Sequence, residues 1–210
     1  LDKGNIHAES VQAKDGYFLF NYVSEKHIIN DIKLQVPGFH NVENALASIA
    51  VALALNIDPE VIKQAVGTYP GVKRRFDYQV REENLVYIDD YAHHPTEINA
   101  LMDSVKALYP GKKITAVFQP HLFTRTRDFA DGFSESLSKA DELIMLNIYP
   151  ARELPIEGVN AKMILDKATA RQKMLVMDEA LLACLQDKDI EVLLTIGAGD
   201  IDRFVKPIKE

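Results

Sequence analysis

The chain has 210 residues, with 47% hydrophobic side chains, 26% charged side chains and a formal net charge of −7. This length suits one large domain or two small ones, and the acidic balance argues against a nucleic-acid-binding protein. With no apolar run near the roughly 18 residues of a membrane span, no signal peptide and a single cysteine, Cys184, we expect a cytoplasmic protein that does not insert into membranes.

The first third of the sequence predicts strands followed by helices. Residues 5–36 alternate polar and apolar side chains between turn residues, which is typical of short antiparallel strands. Residues 41–55 are alanine-rich and apolar nearly all round, which predicts a buried helix. Asp58 as the N-cap and Pro59 in the first turn begin a second helix, which we expect to end near residue 67.

The rest of the sequence alternates strands and helices. A break at residues 69–71, Tyr-Pro-Gly, predicts a boundary between a first part, residues 1–70, and a second, residues 71–210. Near-continuous apolar strands separated by helices indicate a mainly parallel sheet covered on both faces, an α/β fold. Strands are predicted at residues 85–88, 114–119, 143–147, 174–177 and 192–196, and helices at residues 96–108, 126–140, 160–167, 179–186 and after residue 199.

Two polar corners follow the first two strands of this α/β region. Residues 88–97 read Ile-Asp-Asp-Tyr-Ala-His-His-Pro-Thr-Glu, and residues 118–128 contain His121 and Arg125. Ligands bind at the carboxyl ends of strands in open α/β sheets, so two such corners on one edge predict a functional edge. His121 taken alone has the alternative interpretation of a structural histidine bonded to a backbone carbonyl.

Further polar groups have a functional and a structural interpretation. Arg75 and its basic neighbours lie on the predicted linker, where they can bind the phosphate of a ligand or form a surface salt-bridge patch. Asn41 and Asn44, three residues apart on a helix, suit the edge of a purine base, or cap the helix and form a polar rim. Residues 197–199, Gly-Ala-Gly, are a weak dinucleotide motif or a tight turn, and residues 149–153 are a substrate loop or simple loop punctuation.

The sequence resembles the Mur ligase family in these motifs and in the order in which they occur. The order is His40-Asn41-x-x-Asn44, Gly71-Val72-Lys73-Arg74-Arg75-Phe76, Asp89 to Glu97, Phe118-Gln119-Pro120-His121 with Phe123 to Arg127, and Gly197-Ala198-Gly199. The resemblance implies an ATP-dependent ligase of peptidoglycan synthesis, and so of cell-wall biogenesis, cell shape and cell division. It implies that L-alanine is added to UDP-N-acetylmuramate through an acyl phosphate.

The resemblance also implies how much of the enzyme is present. Residues 1–70 would be the tail of a central ATP-binding domain, and residues 71–210 a complete Rossmann-like C-terminal domain. The sequence has no Gly-x-x-x-x-Gly-Lys-Ser/Thr phosphate loop and no set of metal ligands. We therefore expect a piece of a longer protein, inactive alone, whose magnesium ligands lie elsewhere. The alternatives are a ligase that recycles a tripeptide onto the same muramate, and a non-catalytic nucleotide-binding module.

Site residues are carried over by motif. The resemblance implies that Asn41 and Asn44, with His40 beside them, contact the adenine of ATP or support its pocket. It implies that Asp90 binds the ribose or orients the nucleotide. It places Tyr91 and His93 at the sugar carboxylate and alanine. It places Arg75 at the ATP phosphates, and His121 and Arg125 at a carboxylate or at the developing charge of the acyl phosphate. The residues that receive catalytic roles are Arg75, His93, His121 and Arg125. Leu122 stands where many relatives have a basic residue, so one cationic contact to substrate is expected to be absent or supplied elsewhere.

Overall fold

The computed structural model describes residues 5–210. It forms two compact units, the first containing residues 5–72 with Asp103–Pro110, and the second containing Lys73–Met102 with Gly111–Glu210. The chain leaves the first unit after Val72, two residues beyond the boundary expected from the sequence. The assignment of these units to the domains of a larger ligase stays a prediction.

The first unit contains an antiparallel sheet of β1 (Ile6–Lys14), β2 (Tyr17–Ser24) and β3 (Ile28–Leu34), with β2 in the middle. Alternate residues of a strand point to opposite faces, so every second position of β2 lies in the core. Phe18 and Phe20 are both buried there. The expected antiparallel strands are confirmed.

Two helices follow this sheet in the chain, α1 (Phe39–Ala54) and α2 (Pro59–Thr68). Asp58 caps α2 as expected, because its carboxylate accepts the Glu60 N–H at 2.8 Å. The expectation of a buried helix is wrong for one face of α1. One face of α1 lies toward β1 and β2, while Val51 on α1 is 62% exposed. Alanine-rich composition conceals which face of a helix packs, since alanine adds little to either face.

The second unit contains a six-stranded sheet in the order β4-β5-β9-β6-β7-β8. All neighbouring pairs are parallel except β4 with β5, so the expected α/β fold with a mainly parallel sheet is confirmed. The strands are β4 (Asp77–Arg81), β5 (Val86–Asp90), β6 (Ile114–Phe118), β7 (Glu142–Met145), β8 (Gln172–Leu175) and β9 (Val192–Ile196). The antiparallel edge strand β4 was not predicted, because its sequence Asp-Tyr-Gln-Val-Arg is short and largely polar.

The helices expected at residues 179–186 and after residue 199 each begin with a 3₁₀ turn, and another expected helix is divided in two. The single helix expected at residues 126–140 is two helices, because the backbone leaves helical geometry at Phe129 (φ −119°). No helix within residues 5–210 is long and apolar enough to cross a membrane. The helices are α3 (Pro95–Leu108), α4 (Phe123–Asp128), α5 (Ala130–Leu137), α6 (Lys162–Lys167), α7 (Leu181–Gln186) and α8 (Val205–Lys209), with 3₁₀ turns at Asp178–Ala180 and Asp200–Phe204.

The register of the sheet brings three loops to one edge. Asp90 at the end of β5 and Phe118 at the end of β6 both lie beside Ile196 at the end of β9. The loops that follow these three strands therefore leave the sheet side by side. We call this the carboxyl edge.

Candidate functional site

The carboxyl edge brings the two polar corners together, as expected from the strand pattern. The ring centroids of His93, after β5, and His121, after β6, lie 6.4 Å apart. Tyr91 lies 5.3 Å from His93 between ring centroids and is 37% exposed, and so it faces solvent at this edge. Residues 28 positions apart in sequence thus form one cluster of aromatic and imidazole side chains.

Asp90 closes β5 and ties two loops together. Its two carboxylate oxygens accept the N–H of Phe76 at 2.7 Å and the N–H of Ala92 at 2.8 Å. Burial raises the pKa of Asp90 to about 6, although these two backbone donors act in the opposite direction. The carboxylate therefore fixes the backbone on both sides of the edge. Its contact with a nucleotide stays a prediction.

Arg74 is a residue that sequence reasoning missed. Its Nε lies 3.2 Å from the buried carboxylate of Asp89, and Nη2 donates to the Gly197 carbonyl at 2.6 Å. Its own carbonyl accepts the Tyr91 N–H at 2.6 Å. Arg74 thus connects the segment before β4 to the loops after β5 and β9. The adjacent pair of arginines in the sequence gave no signal of which one folds inward.

Arg75, the arginine selected from the sequence, is exposed. Within residues 5–210 its side chain makes no ion pair or hydrogen bond. The backbone on either side of it is in the left-handed region, with φ 61° at Arg74 and 48° at Phe76. This geometry leaves Arg75 at the surface as a cation available to an external anion, and its predicted role toward phosphate stays open.

A buried chain of hydrogen bonds lies beneath Arg74. The Thr195 hydroxyl donates to Asp89 at 2.7 Å and lies 3.1 Å from the hydroxyl of Tyr87. Burial raises the pKa of Asp89, while Thr195 and Arg74 lower it. Burial also raises the pKa of Tyr87, which stays a neutral hydroxyl. The carboxylate is thus satisfied from inside the sheet, and it acts as the anchor for Arg74.

The glycine motif after β9 forms a tight turn packed against β6. Gly197 has φ 149°, and a side chain there would stand 2.7 Å from the Gln119 carbonyl oxygen. The buried Gln119 side chain accepts the Ile201 N–H at 3.0 Å and donates to Asp200 at 2.8 Å. A Cβ at Gly199 would collide with the same amide oxygen. The geometry favours the tight-turn interpretation over a dinucleotide fingerprint.

Glu97 fixes the first corner at the start of α3. One of its carboxylate oxygens accepts the N–H of His93 at 2.9 Å and of His94 at 3.0 Å. Nδ1 of His93 lies 2.9 Å from the Tyr91 carbonyl oxygen. Glu97 belongs to the motif quoted from the sequence but was not assigned a role there. It satisfies N–H groups at the helix start, as in a capping box.

The two adjacent histidines of this corner have different surroundings. His94 packs edge-on against Phe129, with ring centroids 4.7 Å apart, and its Nδ1 accepts the Thr96 N–H at 3.3 Å. His93 instead stands next to His121. His94 therefore stabilises the helix start, whereas His93 belongs to the carboxyl edge.

His121 is held by Tyr149 and Arg125. Its ring stacks on Tyr149 with centroids 5.8 Å apart and an interplanar angle of 17°, and Nη1 of Arg125 lies 3.2 Å from its Nδ1. Burial lowers the pKa of His121, and the charges of Arg125 and His93 lower it further, against Glu153. His121 is therefore neutral at neutral pH. The alternative of a histidine bonded to a backbone carbonyl is not what the described contacts show.

The loop after β7 takes part in the same edge. Both carboxylate oxygens of Glu153 bind Thr124, one at its N–H and the other at its hydroxyl. Tyr149 from this loop stacks on His121. The sequence left this loop open between a substrate loop and simple punctuation, and its position favours the former. Leu122 has φ 72° and precedes α4 directly, so the residue type that departs from many relatives stands at a sharp turn.

His40, Asn41 and Asn44 lie in the first unit, at the start of α1. The Asn41 amide donates to the Pro37 carbonyl at 2.8 Å, and Asn44, which is exposed, donates to Asn41 at 3.4 Å. Neither side chain caps α1, which follows Gly38 without a side-chain cap. The two amides do share one helix face as expected, and their role toward adenine stays a prediction.

The acidic and imidazole side chains of the described residues do not form a metal site. No group of three or more His, Cys, Asp or Glu side chains there is arranged to hold a metal ion. The acidic residues of the carboxyl edge are instead bonded to Arg74, Thr195 and backbone N–H groups. We therefore assign no magnesium ligand to these residues.

Comparison with known proteins gives the family. The UDP-N-acetylmuramate–L-alanine ligase of Flavobacterium johnsoniae is 49% identical over 97% of this chain and 45% of that protein. The protein of that name from Flavobacterium psychrophilum is 47% identical over 100% of this chain and 47% of that protein. The crystal structure of a UDP-N-acetylmuramate–alanine ligase from Thermotoga maritima matches with a TM-score of 0.83 and 30% identity, over 99% of this chain and 46% of that one.

The chain thus spans about half the length of the relatives it matches. A family model described as "Mur ligase, glutamate ligase domain" matches residues 74–199. This match includes the whole carboxyl edge, from Arg74 to the glycine turn, and covers more than half of the sequence. The chain belongs to the Mur ligase family.

Proposed function

We propose that this chain is the C-terminal part of a cytoplasmic, ATP-dependent ligase that joins L-alanine to UDP-N-acetylmuramate in peptidoglycan synthesis. The names of the most similar relatives support this reaction. The structural observation that carries it is the convergence of Tyr91, His93, His121 and Arg125 at one sheet edge. A cation and polar rings at one place suit two substrates that both carry carboxylates.

The reaction proceeds in two steps. The muramate carboxylate attacks the γ-phosphate of ATP, which gives an acyl phosphate and ADP. The amine of L-alanine then attacks the acyl carbon, and phosphate leaves. This chemistry requires positioning and charge stabilisation more than a protein nucleophile. Magnesium would supply charge neutralisation at the phosphates when bound, and we place none of its ligands on residues 5–210.

The chain supplies the charge for the acyl side of this reaction. Arg125 is half-buried, next to the neutral ring of His121. A guanidinium in that position stabilises the carboxylate of alanine or the negative charge that develops on the acyl phosphate. Tyr91, exposed beside His93, forms an apolar and polar wall for the sugar carboxylate and the alanine side chain.

The nucleotide side is assigned to two residues of the second unit and three of the first. Arg75 is an exposed cation for the ATP phosphates, and Asp90 orients the nucleotide through the backbone that it fixes. In the first unit His40, Asn41 and Asn44 would bind adenine, since carboxamides both donate and accept hydrogen bonds. These roles follow from the family motif and, for His40, Asn44 and Arg75, also from the exposure of the side chain.

The decisive experiment uses the full-length protein that contains this chain. Purified enzyme is incubated with ATP and UDP-N-acetylmuramate, and either L-alanine or a free tripeptide is supplied as the amine substrate. The product is identified by mass spectrometry. Amide formation with L-alanine is expected. Transfer of the tripeptide alone would favour the recycling ligase, and nucleotide binding without any ligation would favour a non-catalytic module.

A matched pair of variants links the activity to the carboxyl edge. Arg125→Met is expected to lower ligation by at least a factor of about 100, as for loss of one charge-stabilising donor. Arg127→Met removes an exposed arginine two residues away that pairs with Asp128, and it is expected to leave ligation nearly unchanged. Equal effects of the two substitutions would contradict the proposed site.

A further inference from the structure

The two histidines of the carboxyl edge make hydrogen bonds that require different ring tautomers. Nδ1 of His93 lies 2.9 Å from the Tyr91 carbonyl oxygen, which can only accept, so this nitrogen carries a hydrogen. Nδ1 of His121 lies 3.2 Å from Nη1 of Arg125, which can only donate, so this nitrogen presents its lone pair. When both rings are neutral, Nε2 of His93 is therefore a bare acceptor and Nε2 of His121 is an N–H donor.

Charged and aromatic neighbours reinforce this difference. The Glu97 carboxylate lies 3.5 Å from Nδ1 of His93, which favours a hydrogen on that nitrogen. His121 meets the guanidinium of Arg125, the ring of Tyr149 and, through charge, Glu153. Burial and Arg125 lower the pKa of His121 and keep it neutral.

Both Nε2 atoms are left for a ligand. Within residues 5–210 neither nitrogen has a hydrogen-bond partner, and the His93 side chain is 26% exposed. The ring centroids are 6.4 Å apart, a span that a small amino acid can bridge. A proton acceptor, Nε2 of His93, and a hydrogen-bond donor, Nε2–H of His121, thus lie on neighbouring rings. The Tyr91 carbonyl fixes the tautomer of His93, and the Arg125 guanidinium fixes that of His121.

We propose that His93 is the base that deprotonates the incoming α-amino acid, and that His121 donates its Nε2 hydrogen to the carboxylate of that amino acid or to the acyl-phosphate oxygen. The catalytic half of this proposal rests on the proposed ligase function. The assignment of opposite tautomers rests on the contacts alone.

The proton balance of the second step is complete with these groups. An amino acid arrives as an ammonium with three hydrogens on nitrogen. One passes to Nε2 of His93, which becomes an imidazolium, and the freed lone pair attacks the acyl carbon. The C–N bond forms, the bond from carbon to the phosphate oxygen breaks, and phosphate leaves with that electron pair and takes the second hydrogen. The third stays on the amide nitrogen.

The tautomers are measured directly on this 210-residue chain. Long-range ¹H–¹⁵N spectra at a pH where both rings are neutral distinguish protonated from bare ring nitrogens. We expect Nδ1–H for His93 and Nε2–H for His121, and a shift of His121 toward a tautomer mixture in Arg125→Met. The same tautomer at both positions would overturn the proposal.

The base role is tested in the full-length enzyme with two acceptors. L-alanine needs deprotonation, whereas hydroxylamine is largely unprotonated at neutral pH and traps an acyl phosphate as a hydroxamate without a base. His93→Asn is expected to lower alanine addition by roughly 10²- to 10⁴-fold while it keeps hydroxamate formation. The matched control His94→Asn, at the histidine that packs on Phe129, is expected to keep both.

Three other outcomes have a clear meaning. If His93→Asn loses both reactions equally, or neither, His93 is not the base and the proposal is overturned. If the wild-type enzyme forms neither hydroxamate nor amide, the proposed function fails together with the catalytic half. In that case the opposite tautomers still stand or fall on the spectra, so the two failures are distinguishable.

Discussion

The guanidinium of Arg74 lies 3.2 Å from the carboxylate of Asp89, which is only 1% exposed. This ion pair joins the segment before β4 to the buried end of β5, and the same guanidinium also binds the Gly197 carbonyl. One arginine thereby connects three segments of the carboxyl edge. Breaking a buried pair by removing one partner is costly, because the other charge stays in place without compensation.

Arg74→Ala is therefore expected to destabilise the second unit by about 3–5 kcal/mol. Asp89 would keep its Thr195 bond but lose its positive partner. The matched substitution Arg75→Ala removes an exposed arginine and should change stability by less than about 0.5 kcal/mol. Urea unfolding followed by circular dichroism compares the two, and an equal loss for both variants would contradict the anchor role of Arg74.

Gly199→Ala is expected to destabilise the chain by about 1–3 kcal/mol through overpacking. The new methyl group would collide with the Gln119 amide and would stand 2.7 Å from Cβ of Tyr149. Gly67→Ala, in α2, places its methyl group at an ordinary 3.5 Å from the Lys33 carbonyl and should be neutral or stabilising. Thermal unfolding of the two variants measures the contrast, which a similar melting temperature for both would refute.

The Asp90 carboxylate is expected to titrate near pH 6 rather than near pH 4. Burial raises its pKa from 3.8 to about 6, so the folded state holds the proton more tightly than the unfolded chain. The stability that this group contributes is therefore full below pH 3.8 and is lost as the pH rises through about 6. A ¹³C titration of the carboxyl carbon measures the midpoint, with Asp90→Asn to assign the signal. A midpoint near 4 would contradict the prediction.

The stability contributed by Glu142, at the other end of the sheet, is expected to depend on pH in the opposite sense to that of Asp90. Its carboxylate is fully buried, and it pairs with Lys188 and, at 3.1 Å, with Lys113. Burial alone would raise its pKa, but the two lysines hold it below the usual value. This contribution is present above the ordinary pKa of a glutamate and is lost as the pH falls through the lowered one. Glu142→Gln should therefore destabilise by about 3–5 kcal/mol at pH 7, and by less in acid.

The isolated 210-residue chain is expected to show no ligase activity and weak ATP affinity. Its sequence has no phosphate loop, the element that supplies most backbone N–H contacts to phosphate in many ATP-binding enzymes. Calorimetric titration with ATP measures the affinity, and an assay of alanine ligation measures the activity. ATP-dependent ligation by this chain alone would contradict the expectation.

The sequence predicts the carboxyl edge because strand ends can be read from local patterns. Apolar runs locate β5 and β6, and the chemistry that follows each run marks the edge. Strand β4 is not predictable in that way, since its pairing with β5 depends on contacts between distant residues rather than on its own composition. Tertiary pairing also decides that α1 has an exposed side, with Val51 in solvent.

The inward arginine shows the same limit within the site itself. Arg74 and Arg75 are identical in type and adjacent, so no pattern separates them. What separates them is a left-handed backbone at Arg74 and Phe76, together with a buried carboxylate at Asp89 that needs a cation. Opposite tautomers at His93 and His121 likewise depend on a carbonyl and a guanidinium that only the fold brings near.

The left-handed residues on both sides of Arg75 fix the length of this segment more strictly than its composition. Phe76 must bring its N–H to Asp90 while the Arg74 side chain reaches Asp89. Only one residue, Arg75, separates Arg74 from Phe76 in the chain. A deletion or insertion here would move either Arg74 away from Asp89 or Phe76 away from Asp90, and would leave a buried carboxylate without its partner. The segment should therefore accept many side chains at Lys73 but no change in the number of residues between Val72 and Phe76.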